Sequence, residues 1–495
     1  MENKIEKYTY TRSLCMVLYR AVTLEAPGMT LRVEHSISHG QYCRLLRADG
    51  SIVQVDRDLA GRLLRRMRLL VDADIPFRLS VRPKAEALGV FRKEGLTEKI
   101  ELLDTIPGEE VKCYEFDGVL DSYIGDLVER SAQLRVFDLR MYKEGLLLLG
   151  PDPANPAVPV LPVRQAKMYR AFRQSLEFNK VIRVSCAGEL NRVVLNNDTK
   201  MLINVAEAMH NKLLGRISDE IATRHRRGEA SLIMLAGPSS SGKTTTCKRL
   251  AVQLMTNMIS PKMISLDDYF VNRVHTPLDA DGNYDYESLY ALDLKQFNQD
   301  LNDLLAGREI NLPTYSFEKG ERIYENRPLK LEKDDVLLIE GIHGLNPELT
   351  ASVPKEQVYK VYVSALTSLR LDNHNWISTS DNRLLRRMVR DSKYRGTTPS
   401  QTLERWPSVR RGEEKWIFPF QENADAVFNS SLIFELGVMK DYLEPLLLSV
   451  GPDDPHYAEA RRLADFLECF LSIPAEQVPA NSVLREFLGG SSFHY

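Results

Sequence analysis

Between Thr11 and about Gly150, short apolar runs of strand type, Thr30–Val33 and Leu146–Leu149, alternate with stretches of helical period such as Ala60–Leu70. That mixture predicts a small α+β domain. The run Pro151-Asp-Pro-Ala-Asn-Pro-Ala-Val-Pro159 reads as an exposed connector near its end. Met201, Val205, Leu213, Ile217 and Ile221 then keep helical spacing between Asp198 and Arg226, and Arg224-His-Arg-Arg-Gly228 closes that helix.

A different pattern follows. Leu232-Ile-Met-Leu-Ala236 and Val336-Leu-Leu-Ile-Glu340 are continuous apolar runs, the signature of parallel strands buried on both faces. Strands and helices alternate from there to about Val450, which predicts an α/β doubly wound parallel sheet. The expected domains are therefore 1–165, a connector with a long helix over 166–228, the α/β domain over 229–450 and a helical tail over 451–495.

Composition changes this picture little. The chain has 495 residues, 27% of them charged, and a formal net charge of -3, so no polyanionic partner is demanded. Cys15, Cys43, Cys113, Cys186, Cys247 and Cys469 are scattered without a C-x-x-C pair, which predicts reduced thiols rather than a disulfide framework or zinc ribbon. No apolar signal core opens the chain and no run reaches a membrane span, so a soluble cytoplasmic protein is expected.

The strongest chemical signal is Gly237-Pro-Ser-Ser-Ser-Gly-Lys-Thr244, set between the strand run ending at Ala236 and the helical run Thr245–Met255. Backbone N–H groups from Gly237 through Gly242, with Ser239, Ser240 and Ser241 between, are expected to curl around phosphates. Lys243 would reach the β/γ-phosphates, Thr244 would ligate Mg2+, and Thr245 continues the loop into the helix. ATP and Mg2+ are the cofactors this predicts. Glu340, at the end of its strand run, is a second magnesium-site candidate, and Asp267 or Asp268, just past the run Lys262–Ser265, is a candidate base. Arg383, Arg387 and Arg390 fall on one helical face at i, i+4 and i+7, with Arg386 adjoining, more cationic density than a solvated helix requires. Arg410 and Arg411 are weaker candidates for the same role.

From Leu232 to about Leu436 these motifs, in this order, resemble the uridine kinase/phosphoribulokinase group of P-loop kinases. The resemblance rests on the phosphate loop, Ser265-Leu-Asp-Asp-Tyr-Phe270, Leu312-Pro-Thr-Tyr-Ser-Phe317, Ile339-Glu-Gly-Ile342 and Arg383-Leu-Leu-Arg-Arg-Met-Val-Arg-Asp391. It implies a helical lid bearing Arg383, Arg386, Arg387 and Arg390, with Asp267 as catalytic aspartate and Glu340 beside magnesium. Substrate contacts are implied at Asp267, Tyr269, Phe270, Asp285, Tyr315, Arg322 and Arg395. The chain departs from well-studied uridine kinases at Ser316 and Gly320, which stand where an acid and a histidine line their base-and-sugar pocket. The insert Asp372–Asp381, with His374 and Trp376, is a further difference and reads better as a packed loop than as a base contact.

The first 165 residues resemble, more faintly, the second additional (editing) domain of threonyl-tRNA synthetase, through Arg12–Val22, Thr30–Leu45 and Asp121–Gly150. Its His-x3-His and Cys-x3-His positions fall here on Arg12, Met16, Tyr123 and Leu127, which leaves no metal ligand and implies a catalytically dead module. His35 and His39 would stand ~13 Å apart on a continuous strand and are read as structural. Arg62-Leu-Leu-Arg-Arg-Met-Arg68 reads as a solvated helix face.

The resulting expectation is an ATP-dependent kinase acting on a hydroxyl of a small, nucleoside-like acceptor. A sugar phosphate or another metabolite is the nearest alternative acceptor. An RNA-binding P-loop NTPase is the alternative from another class. A membrane is excluded as partner, a nucleic acid is disfavoured, and a homo-oligomer stays open.

Overall fold

The computed structural model describes residues 6–279, 282–316 and 318–494. Phe317 of the Leu312–Phe317 motif and the first five residues lie outside them. The chain forms two compact units. The first gathers Met1–Leu202, Thr367–Asn382 and Leu436–Ile473; the second gathers Ile203–Leu366, Arg383–Glu435 and Pro474–Tyr495. These units are interleaved in sequence, unlike the consecutive blocks expected from hydrophobic patterning.

The first unit is α+β. A four-stranded antiparallel sheet has the order Thr30–Ile37, Gly40–Leu46, Gly145–Leu149, Asp138–Tyr142, and a second sheet joins Arg78–Pro83, Glu110–Phe116 and Val119–Asp121. Helices Lys7–Glu25 and Arg57–Asp72 pack beside them, and Leu14, Val17, Leu63 and Phe91 sit in a core closed to solvent. The strand through His35 does not continue to His39. Ser38 and His39 both adopt positive φ, 53° and 66°, the two-residue turn that right-handed strand twist favours. His35 is buried, stacks on Phe172 at 3.6 Å, and is pushed down to about 3 by burial.

Buried ion pairs explain why Thr367–Asn382 packs in this unit. Arg370 bonds Glu34 at 2.8 Å and Glu98 at 2.7 Å, and Lys99 bonds Asp121 at 2.9 Å and Asp372 at 3.0 Å. His374, wholly buried, meets the same Asp121 at 2.7 Å. Each charge is unaffordable without its partner in so low a dielectric. His374 and Trp376 are thus packing residues of the first unit, as a packed loop requires. Arg12, Met16, Tyr123 and Leu127 are buried there too, and Arg12 donates to the Ile124 carbonyl at 2.7 Å.

The second unit is α/β. Its parallel sheet has the order Ala426–Asn429, Val358–Ser364, Leu232–Ala236, Asp335–Glu340, Ser260–Ser265. The strand Leu232–Ala236 is central and every one of its residues is buried, which is why it reads as unbroken apolar sequence. Glu340 pairs with Leu235 on one side and with Ser265 on the other, so the carboxyl ends of three strands finish level. That alignment creates the crevice in which open α/β sheets bind ligands. An antiparallel hairpin, Ile310–Ser316 with Glu321–Leu329, stands apart from the sheet. All six cysteines are buried and unpaired. Among the described residues no helix is long and apolar enough to cross a membrane.

Candidate active site

The loop after Leu232–Ala236 is tightly seated. A Cβ on Gly237 would fall 2.0 Å from the Val363 carbonyl oxygen, so this position admits no side chain. Ser240 and Gly242 have φ of 57° and 79°, and the alternation of left- and right-handed residues turns successive N–H groups inward as an anion nest. The hydroxyls of Ser240 and Ser241 are buried without a protein partner, as expected of a cradle whose partners arrive with a phosphate ligand. The helix Lys243–Thr256 starts at once, adding its positive end. Lys243 folds back on the loop, donating to the Pro238 carbonyl at 3.1 Å.

Thr244 Oγ1 donates to Glu340 Oε1 at 3.3 Å, and Ser265 Oγ reaches the same oxygen at 3.2 Å. This cluster of oxygen donors suits Mg2+, a hard cation that takes one or two carboxylates and fills its shell with water and phosphate oxygens. Among the described residues no group of three or more His, Cys, Asp or Glu side chains is placed to hold a metal ion. Glu340 is pushed up to about 7, first by burial and then by the neighbouring Asp267 charge, with Lys243 opposing.

The two aspartates after Ser265 have different surroundings. Asp268 is held by the hairpin, receiving the Tyr315 N–H at 3.4 Å and Arg327 at 3.5 Å. Asp267 is solvent-exposed, with Lys243, Arg390 and Arg395 as its charged neighbours. Desolvation by the surrounding site pushes its carboxyl up despite that exposure, while Lys243, Arg395 and Arg390 pull it down. Lys243, Asp267 and Glu340 therefore share one electrostatic neighbourhood at the sheet edge.

The arginine helix Thr379–Arg395 divides into two sets. Arg383 is buried, ion-paired to Glu413, and donates to the Ser239 carbonyl at 3.1 Å. Arg386 is buried and ion-paired to Glu435, with the Ser430 carbonyl at 3.0 Å. The other set surrounds Asp391: Arg387 at 3.1 Å, Arg390 at 2.8 Å and Arg395 at 3.6 Å. Arg387 also donates to the Ser239 hydroxyl at 2.9 Å. Arg395 is half-exposed; desolvation by the groups around it and then the Arg390 charge push it down. Arg410 pairs with Glu413 at 2.9 Å, and Arg411 lies 3.9 Å from Asp279.

Other expected substrate residues scatter. Tyr269 is a core residue whose hydroxyl donates to Asp300 at 2.9 Å. Arg322 pairs with Asp293 at 2.9 Å. Asp285 accepts the Glu287 N–H at 3.2 Å, a turn contact. Phe270 and Tyr315 lie with ring centroids 5.5 Å apart and form an apolar wall.

Three acids at the site escaped the sequence reading. Glu413 accepts the Ser239 N–H at 3.2 Å, Glu486 accepts from Thr245, and Glu287 has an oxygen buried without a partner. Glu287 is pushed up to about 7 by burial and by Glu413, with Arg387 and Lys243 opposing. No local signal marks them, because each belongs to an ordinary acidic helix or turn.

Residues 232–433 match the model of the Phosphoribulokinase / Uridine kinase family. The chain is similar to the uridine kinase of Macrococcus caseolyticus, 26% identical over 200 residues, which span 40% of this chain and 87% of that protein. It is equally similar to the uridine kinase of Staphylococcus aureus, 26% identical over 198 residues and covering 86% of it. The solved structure of a possible uridine kinase from Bacillus stearothermophilus aligns at 20% identity with a TM-score of 0.28, covering 40% of this chain and 89% of that one.

Proposed function

We propose that the second unit is an ATP-dependent kinase acting in the cytoplasm, transferring a phosphoryl group to a hydroxyl of a small acceptor, with a nucleoside as the first candidate. The observation that carries this reading is the meeting of Lys243, Thr244, Glu340 and Asp267 at the level carboxyl ends of three parallel strands. A phosphate loop alone serves any nucleotide hydrolase. The added carboxylate beside Lys243 gives the acceptor hydroxyl a place to lose its proton, which a kinase requires.

The loop from Gly237 to Thr245 would hold the triphosphate, with Thr244 and Glu340 holding Mg2+. Bound Mg-ATP supplies the transferable phosphoryl group and neutralises its charge. Asp267 orients the acceptor hydroxyl and takes its proton. Phoshoryl transfer is loose, so position matters more than base strength. Arg387, Arg390 and Arg395 are ion-paired as a set to Asp391, and Arg390 and Arg395 act on Asp267, so they oppose negative charge developing there. Similarity to uridine kinases supports the nucleoside class of acceptor. Ser316 and Gly320 stand against assuming the same base preference.

ADP release measured over a panel of nucleosides, ribulose 5-phosphate and pantothenate tests the reading. Stimulation by one compound class names the acceptor. No stimulation by any small alcohol would overturn the kinase assignment.

A further inference from the structure

The first turn of the helix Lys243–Thr256 is already engaged by an anion from the protein itself. Glu486 Oε2 accepts both the Thr245 N–H, at 3.1 Å, and the Thr245 hydroxyl, at 2.7 Å. These two donors, with the nest before them, are the groups a phosphate oxygen would use at a helix start. A carboxylate and a phosphate cannot share them, since both are acceptors and both are negative.

The segment carrying Glu486 is docked firmly against this region. Val483, Leu484, Phe487 and Leu488 are buried. Val483 stands so near Gly242 that a Cβ there would meet its methyl at 2.4 Å. The docking also reaches the arginine helix. Arg386 lies over the Phe487 ring at 5.2 Å and Lys393 donates to the Leu488 carbonyl at 2.5 Å. Glu486 is thus held against the phosphate loop by a surface independent of its own charge.

We propose that the segment Pro474–Tyr495 is an autoinhibitory strap whose Glu486 carboxylate occupies a phosphate position of the loop, so that nucleotide must displace it in order to bind. This rests on the kinase reading above. The strap's contacts with Arg386 and Lys393 tie its release to the helix that carries Arg387 and Arg390. Nucleotide binding and movement of that helix are therefore coupled, and the resting protein is held in a low-affinity state.

The test is equilibrium binding of ATP, with Mg2+, to the full chain and its Glu486→Ala and Glu486→Gln variants, alongside thermal melting of each. Removing a charge-assisted competitor should tighten ATP binding by about 10-fold in Glu486→Ala, and by less in Glu486→Gln, whose amide oxygen still accepts from Thr245. If Glu486→Ala folds poorly, Glu486→Gln carries the comparison. Unchanged or weaker ATP binding in folded variants overturns the strap and makes Glu486 a helix cap. No ATP binding by any of the three proteins overturns the kinase reading itself.

Discussion

Thr244 and Glu340 meet at 3.3 Å although 96 positions separate them in the chain. Thr244 opens the helix after the central strand and Glu340 ends the neighbouring strand, so parallel pairing alone delivers both to one point. Ser265, ending the strand on the far side, completes the set.

Glu340 carries a pH signature. Its folded-state proton affinity is raised to about 7, above that of an exposed glutamate. As pH rises from the ordinary carboxylate range through about 7, the unfolded chain releases this proton first, so metal-free stability falls across that window. Glu340→Gln should melt higher than the native protein at about pH 8 and converge with it at about pH 4. Adding Mg2+ with ATP should narrow the difference at the higher pH. Thermal melts at both pH values check this.

Lys243→Ala should lower turnover by about 10²–10³-fold, as for other preorganised charges facing a transition state. Asp267→Asn should cost about 10²–10⁴-fold in kcat while ATP affinity changes little. Asp268→Asn should stay active, because Asp268 is tied to Tyr315 and Arg327. Steady-state kinetics with parallel ATP binding separate the three. An active Asp267→Asn with a dead Asp268→Asn would reverse the assignment.

Asp391 is an organiser rather than a substrate contact, since it accepts from Arg390, is ion-paired to Arg387 and Arg395, and is itself buried. Asp391→Asn weakens the hold on all three guanidinium groups. A drop of about 10-fold in kcat is expected, larger than the change in KM for the acceptor, because misplaced charges lose most in the transition state.

Glu413 neutralises Arg383 where neither reaches solvent. Glu413→Ala leaves that guanidinium buried without its partner and should cost about 3–5 kcal/mol in denaturant unfolding. The double change Glu413→Leu with Arg383→Met should recover most of that loss, since an apolar pair of similar volume avoids the desolvation cost.

The first unit offers the same test far from the phosphate loop. Arg370→Ala strands Glu34 and Glu98, both buried, and should also cost about 3–5 kcal/mol. Glu34 is held down to about 2 because Arg370 and Arg44 outweigh the upward push of burial. In the variant that carboxyl should titrate higher, so the stability deficit should widen as pH rises from about 2 through the ordinary carboxylate range. Unfolding curves at two pH values measure it.

Several elements could be read from the chain alone. The run Leu232–Ala236, the helix Thr199–His225 and the loop between Gly237 and Thr244 emerge where periodicity and glycine spacing place them. The roles within the arginine helix could not. Arg383 and Arg387 share one face at i, i+4, yet one lies in a buried ion pair and the other reaches the Ser239 hydroxyl. Helical spacing gives a face but not what packs against it.

By itself the sequence determined the two fold classes and the phosphate loop, and it pointed to Glu340 and to the pair Asp267 and Asp268 as acids near that loop, because each follows from short-range geometry: strand burial, glycine conformation, and residues at strand ends. Only the tertiary structure decided that Thr367–Asn382 and Leu436–Ile473 pack with the first unit, while the final segment packs with the second. It alone brought Glu413 and Glu486 to the N–H groups of Ser239 and Thr245. The physical reason is that a carboxylate's partner hundreds of positions away leaves no local trace. Burial and charge neutralisation select it only once the chain is packed.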